Sequence, residues 1–146
     1  MKKHSGGLML KIGIIGTQNT IVGEKDTAEA RLSGLLPVYA TPALIAFVEY
    51  TCFQSIMPEL EEGTGTVGTA LNFKHLSASP VGAHIRCESE LIEIDGRRLV
   101  FNVNAFDDFG LIGSGIHERF IIKNDRFMQK VSDKAAKLHD PDNKKE

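Results

Sequence analysis

The chain has 146 residues, with 17 Lys and Arg against 19 Asp and Glu and a formal net charge of -2. A chain of this length is one domain with one core, burying roughly two thirds of its unfolded surface. The two signs are interspersed, so there is no field to draw nucleic acid or an anionic membrane, and neither partner is expected. Cys52 and Cys87 lack the spacing of a metal pair and read as small buried hydrophobes in a reducing, cytoplasmic setting. Lys2 and Lys3 precede an apolar run that Lys11, Thr17, Gln18 and Asn19 break up, so neither a signal peptide nor a spanning helix is predicted.

In chain order, residues 1–10 form a flexible lead and residues 12–22 a first strand, weakened by Gly13 and Gly16. Residues 25–36 are a mixed surface connection with a helical turn. Thr41 before Pro42 marks a helix start, the hydroxyl serving as N-cap acceptor and the proline taking the first helical position. That helix runs to about Met57, where Pro58 closes it. A Gly- and acid-rich loop over 59–68 leads into four strands, at 67–76, 84–94, 98–107 and 111–122, with Asp95-Gly96 as a hairpin signal between the second and third. Joined in sequence, they predict an antiparallel meander. Leu99, Phe101, Val103 and Ala105 alternate with Arg98, Asn102 and Asn104, so one face of the sheet needs cover, and the apolar helix is the only adequate one. Residues 127–138 suit a short amphipathic helix, and 139–146 a charged, flexible tail.

Glu49 is the only charged residue from Pro42 to Met57. A helix apolar around most of its circumference is expected to be buried, and its carboxylate with it. An unpaired carboxylate there costs several kcal/mol, so Glu49 must find a partner or take up a proton. Catalysis is one reason to tolerate that cost. A wet strip on the helix, or an Arg from a neighbouring strand, is the structural alternative.

Gly63, Gly65 and Gly68 have the spacing of a phosphate loop, but that mechanism needs a strand before and a helix after, and the order here is reversed. Gly68 keeps a second meaning, since a residue without a side chain lets a ligand approach the backbone. His75 titrates near neutrality and suits proton movement at a leaving thiolate or an attacking water. His84 and His117 compete for that role. In the strand around His117, alternation puts His117 and Arg119 on one face and Glu118 on the other. A metal site from His75, His84, His117 and Glu118 lacks any known zinc spacing, and no metal or cofactor is expected.

One strand, a long helix and four antiparallel strands make an α+β order of elements matching the hot-dog fold, an antiparallel sheet wrapped around one long central helix. A resemblance narrows this further. The segments Tyr39-Ala40-Thr41, Glu49, Glu62-Gly63-Thr64-Gly65-Thr66-Val67-Gly68-Thr69-Ala70, Lys74-His75 and Gly113-Ser114-Gly115-Ile116-His117-Glu118-Arg119 resemble the hot-dog acyl-CoA thioesterases related to the fluoroacetyl-CoA thioesterase, over about residues 27–134. The resemblance implies a catalytic Thr41, Glu49 and His75, with Gly68 near the acyl group. Where that group has an aromatic-rich lid, this chain has Leu32, Leu35 and Leu36.

The expected activity is hydrolysis of a small acyl-CoA to free acid and coenzyme A. Glu49 acts as base or nucleophile, His75 moves the proton, Thr41 orients carboxylate or substrate, and Gly68, Leu36 and Arg119 contact the substrate. A dehydratase or hydratase acting on acyl thioesters, and a non-catalytic acyl-CoA binding module, are the alternatives. The long strands at 98–107 and 111–122 have no proline to protect an edge, so at least a homodimer is expected, with the acyl site near its interface.

Overall fold

The computed structural model describes residues 10–140 and 142. The elements are β1 (Ile15–Ile21), α1 (Thr41–Ile56), β2 (Thr64–His75), β3 (His84–Asp95), β4 (Arg98–Asp107), β5 (Gly110–Lys123) and α2 (Asn124–Leu138). The strands form one antiparallel sheet in the order β1-β3-β4-β5-β2, and α1 packs on one face of it. This is the expected α+β arrangement of one long helix against an antiparallel sheet. The expectations for the first nine residues and for the end of the tail lie outside the described residues, whereas Leu10 belongs to the core rather than to a flexible lead.

The core follows from two periodicities. On α1, Leu44, Val48, Cys52 and Ile56 recur every four residues and all are fully buried. On β4, Leu99, Phe101, Val103 and Ala105 recur every second residue and are also fully buried, while Asn102 faces solvent. One sheet covers only one side of a helix, so α1 is not buried all round as its composition suggests. Thr41, Pro42, Ala46 and Tyr50 are exposed on its other side. Gly16 sets how closely β1 approaches α1, since a Cβ there would stand 2.6 Å from Ser55 Cβ and 2.7 Å from Ser89 Oγ.

Two further expectations need correction. The last four strands are not one meander: β3, β4 and β5 are, but β2 pairs with β5, from Thr64 opposite Lys123 to His75 opposite Gly113. The turn residues Ser79, Pro80 and Gly82 therefore belong to a crossing segment, 76–83, that carries the chain from one side of the sheet to the other. This segment is tied into the fold at several points. Val38 and Pro80 form a β-bridge, Tyr39 N donates to Ser79 O at 2.9 Å, and the Ser79 hydroxyl donates to Asp107 Oδ2 at 2.8 Å. The same order puts β4 and β5 inside the sheet and leaves β1 and β2 as its edges, so β2, not β4 or β5, is the long strand without proline that lacks a neighbour on one side.

The boundaries moved by a few residues. Gly13 has φ of +105°, which delays β1 to Ile15, and β2 begins at Thr64, so Gly65 and Gly68 are strand residues rather than loop. Among the described residues, no helix is long and apolar enough to cross a membrane. The closeness of β1 to α1 gives a stability prediction. Gly16→Ala overpacks that seam and should destabilise the protein by about 1–3 kcal/mol, read as a lower urea midpoint at unchanged slope.

Candidate active site

Arg119 and His117 point inward from β5, as alternation requires, and both are buried. The Arg119 guanidinium is almost fully committed: Nε donates to Thr66 Oγ1 at 2.8 Å, Nη2 to the Thr66 carbonyl at 3.0 Å, and Nη1 to His117 Nε2 at 3.1 Å. His117 Nδ1 lies 2.9 Å from the Ala70 carbonyl. A carbonyl only accepts and a guanidinium only donates, so the ring is neutral with its proton on Nδ1. Burial pushes its pKa down and Arg119 adds to this, against the pull of the Ala70 carbonyl and Glu49.

Glu49 reaches this pair from α1. Its Oε2 is 3.7 Å from Arg119 Nη1 and 3.9 Å from His117 Nε2. The side chain is 43% exposed, so the carboxylate is not carried into the core. It sits on a wet strip of the helix beside an Arg from a strand, and the cost of full burial does not arise. A β-bulge between Gly68 and Ala70 shapes the strand beneath it. A Cβ on Gly68 would collide with Glu49 Oε2 and come within 3.2 Å of Arg119 Nη1, so the missing side chain is what admits the carboxylate.

A second cluster lies at the start of α1. Ala40 is the N-cap residue in an extended conformation, and Thr41 is already helical and caps nothing. Its hydroxyl is spent elsewhere, 2.8 Å from His75 Nδ1. The Tyr39 ring stands edge-on to His75 at 6.4 Å. Burial lowers the His75 pKa, with the Ser77 backbone opposing, and Nε2 is buried with no hydrogen-bond partner in the protein. Tyr39, Thr41 and His75 line a cavity of about 270 Å³, which Ala28, Ser33 and Val38 close from the loop before α1. Thr41, the first residue of α1, brings the positive end of the helix dipole to this cavity.

The structure thus joins Thr41 to His75, and Glu49 to Gly68 and Arg119. Glu49 is eight positions after Thr41, about 12 Å along the helix axis, and among the described residues no hydrogen bond or ion pair joins the two clusters. Arg119 is only 7% exposed, with its hydrogen bonds directed to Thr66 and His117 and its Nη1 3.7 Å from Glu49. Leu36 is 64% exposed and does not line the cavity. The four candidate metal ligands separate: His84 faces Asp108, His117 holds Arg119, and Glu118 pairs with Arg98 on the opposite face of the sheet. Sequence reasoning missed Thr66 and Tyr39, and it weighed His117 only as a rival to His75. The shared face of His117 and Arg119 was the signal that could have placed His117 beside Glu49.

Residues 22–125 match the family model described as fluoroacetyl-CoA-specific thioesterase. The fluoroacetyl-CoA thioesterase of Streptantibioticus cattleyicolor is 39% identical over 98 residues, covering 67% of this chain and 70% of that protein. Among solved structures, a point mutant of that enzyme, FlK, in complex with acetyl-CoA superposes with a TM-score of 0.82 at 31% identity, over 86% of this chain and 98% of the other. Another FlK mutant, in complex with fluoroacetate and CoA, gives 0.77 at 31% identity over 81% and 99%. A thioesterase superfamily member from Thermus thermophilus gives 0.82 at 25% identity over 88% and 95%. The sheet order and these likenesses agree: the chain has the hot-dog fold and belongs to the fluoroacetyl-CoA-specific thioesterase family.

Proposed function

We propose that the protein hydrolyses a small acyl-CoA thioester to free acid and coenzyme A, with Thr41, Glu49 and His75 as its reacting set. The observation that carries this reading is the 2.8 Å contact of Thr41 with His75 at a cavity next to the helix N-terminus, on the same helix that presents Glu49. Glu49 either removes a proton from water, which attacks the thioester carbonyl, or attacks that carbonyl itself; the C–S bond breaks as the tetrahedral centre collapses, and in the second route water then cleaves the Glu49 acyl anhydride to free acid and restores the carboxylate. His75, whose pKa burial lowers, carries the proton that the water loses to the departing thiolate. The positive end of the α1 dipole, at Thr41, would favour a developing oxyanion there. Ala28, Ser33 and Val38 bring the loop before α1 to the cavity, and these lining residues would limit the acyl length accepted.

The active unit is at least a homodimer with the acyl site near its interface. Two observations support it. β2 is a 12-residue edge strand without proline, and the side of α1 carrying Tyr50 and Glu49 has no second layer over it. A partner seated there would offer a route to unite the Thr41 and Glu49 clusters. A second mechanism takes Thr41 itself as nucleophile and His75 as its base, favoured by the same 2.8 Å contact.

Three measurements test these readings. Glu49→Gln should lower kcat/KM for the best acyl-CoA by about two to four orders of magnitude in a thiol-release assay. Full turnover in that variant, with loss in Thr41→Val, would transfer the role to Thr41. Light scattering at micromolar concentration should report a dimer or larger, and an active monomer would contradict the interface site. The third is stability against pH. His75 and His117 both have lowered pKa values in the fold, so the unfolded chain binds protons that the folded one resists. Their contribution is complete above the ordinary imidazole range, at about 6.5, and is lost as pH falls below it. The urea midpoint should therefore drop between pH 7.5 and 5.5, and by less in His117→Asn.

A further inference from the structure

Four of the six arginines have a carboxylate beside them: Arg31 has Asp26, Arg86 has Glu88, Arg98 has Glu93 and Glu118, and Arg119 has Glu49. The other two, Arg97 and Arg126, have no ion pair among the described residues, and both line one cavity of about 190 Å³. Lys123 and Lys130 line it as well, and no acidic residue does; Asp125 lines the neighbouring cavity instead. No carboxylate faces the four cations inside this cavity, although Lys123 and Arg126 also border the neighbouring one lined by Glu61, Glu62 and Asp125, and an anionic ligand would be favoured on the side that lacks them.

The remaining lining is apolar and partly aromatic. Phe120 and Ile122 come from the outer face of β5, and Phe127 is the half-buried residue of the otherwise exposed first turns of α2. Arg97 already lies over the Phe120 ring, 5.3 Å from its centroid. Rings and guanidinium planes stack flat bases, while guanidinium and ammonium groups hold phosphates. We infer that this niche, between the β3–β4 turn, the end of β5 and the start of α2, binds a phosphorylated nucleoside.

Phe120 faces away from Glu49, and Lys123 is about 13 Å along β5 from Arg119, so the niche is separate from the acyl cavity. Two sources share this chemistry: the nucleotide end of the acyl-CoA substrate, which rests on the reading proposed above, and a free nucleotide.

The test uses the full chain and adenosine 3',5'-bisphosphate, with inorganic phosphate as control, in titration calorimetry. The bisphosphate should bind more tightly than phosphate, weaken steeply with salt, and lose at least about tenfold in affinity in Arg97→Gln and in Arg126→Gln, as removal of a charge-assisted contact predicts. Both side chains are exposed, so the variants keep the core intact. Phe127→Leu should weaken the bisphosphate and leave phosphate unaffected. In thiol release, a raised KM for acetyl-CoA in the Arg variants, at unchanged kcat and with acetyl-pantetheine unaffected, assigns the niche to the substrate's nucleotide end. An unmoved KM beside weakened bisphosphate binding assigns it to a free nucleotide. No bisphosphate binding, binding equal in the Arg variants, or phosphate binding as tight as the bisphosphate would overturn the inference. Because calorimetry needs no turnover, a protein that releases no thiol from any acyl-CoA would end the hydrolase reading while leaving the niche to be judged on its own.

Discussion

A guanidinium enclosed by protein must have its hydrogen-bonding needs met by its surroundings, because an uncompensated buried charge costs several kcal/mol. Arg119 meets that condition by drawing on three elements at once: Thr66 from β2, His117 from its own strand and Glu49 from α1. Each of these partners is thereby fixed in turn. His117 is held as one tautomer because Ala70 and Arg119 occupy its two nitrogens, and Glu49 is aimed because the one charge beside it cannot move. The register of β2 on β5 and the placement of α1 over both are conditions for this cation to be tolerated.

The backbone of β2 is adapted to the same end. The bulge between Gly68 and Ala70 shifts the register beside Glu49, and the two residues that flank it serve different ends. Gly68 makes room for the carboxylate, and Ala70 turns its carbonyl to His117. Further along the ladder, Gly115 lies so close to Asn72 and Phe73 that a side chain there would strike the backbone of β2. Together these residues let an edge strand approach a helix and a neighbour more closely than ordinary side chains permit.

Much of this was legible in the sequence, and the failures have physical causes. Alternation along β5 put His117 and Arg119 on one face and Glu118 on the other, and the contacts of all three agree. The isolation of Glu49 in α1 was read as a carboxylate carried into the core, whereas its side chain is 43% exposed. Composition says how apolar a helix is but not how many layers cover it, and here a single sheet leaves the Glu49 side open. Strand pairing failed for a related reason. Ser79, Pro80 and Gly82 signal a turn, but local turn chemistry does not say whether the next strand lies beside the last one or across the sheet, and so β2 could not be recognised as an edge. Thr41 met the residue preference for a cap, yet its hydroxyl went to His75, a partner 34 residues away that no local rule contains.

The crossing segment over 76–83 has a consequence for how the acyl cavity can open. One wall of the cavity, Leu76 to Ala78, belongs to that segment, and the opposite wall belongs to the loop before α1. Where they meet, the Val38 to Pro80 bridge and the Tyr39 to Ser79 hydrogen bond join the two walls, and Ser79 anchors both to Asp107 at the end of β4. The base of the cavity is therefore a braced corner of the sheet that cannot swing without breaking core hydrogen bonds. Above the brace, Leu32 and Leu35 are almost wholly exposed, on a loop closed on itself by hydrogen bonds from Leu32 N to Glu29 O and from Ser33 N to Ala28 O. Changes in these exposed side chains leave the Thr41–His75 contact where the fold has put it. Access is thus separated from alignment, and the loop can vary in sequence without disturbing the geometry beneath it.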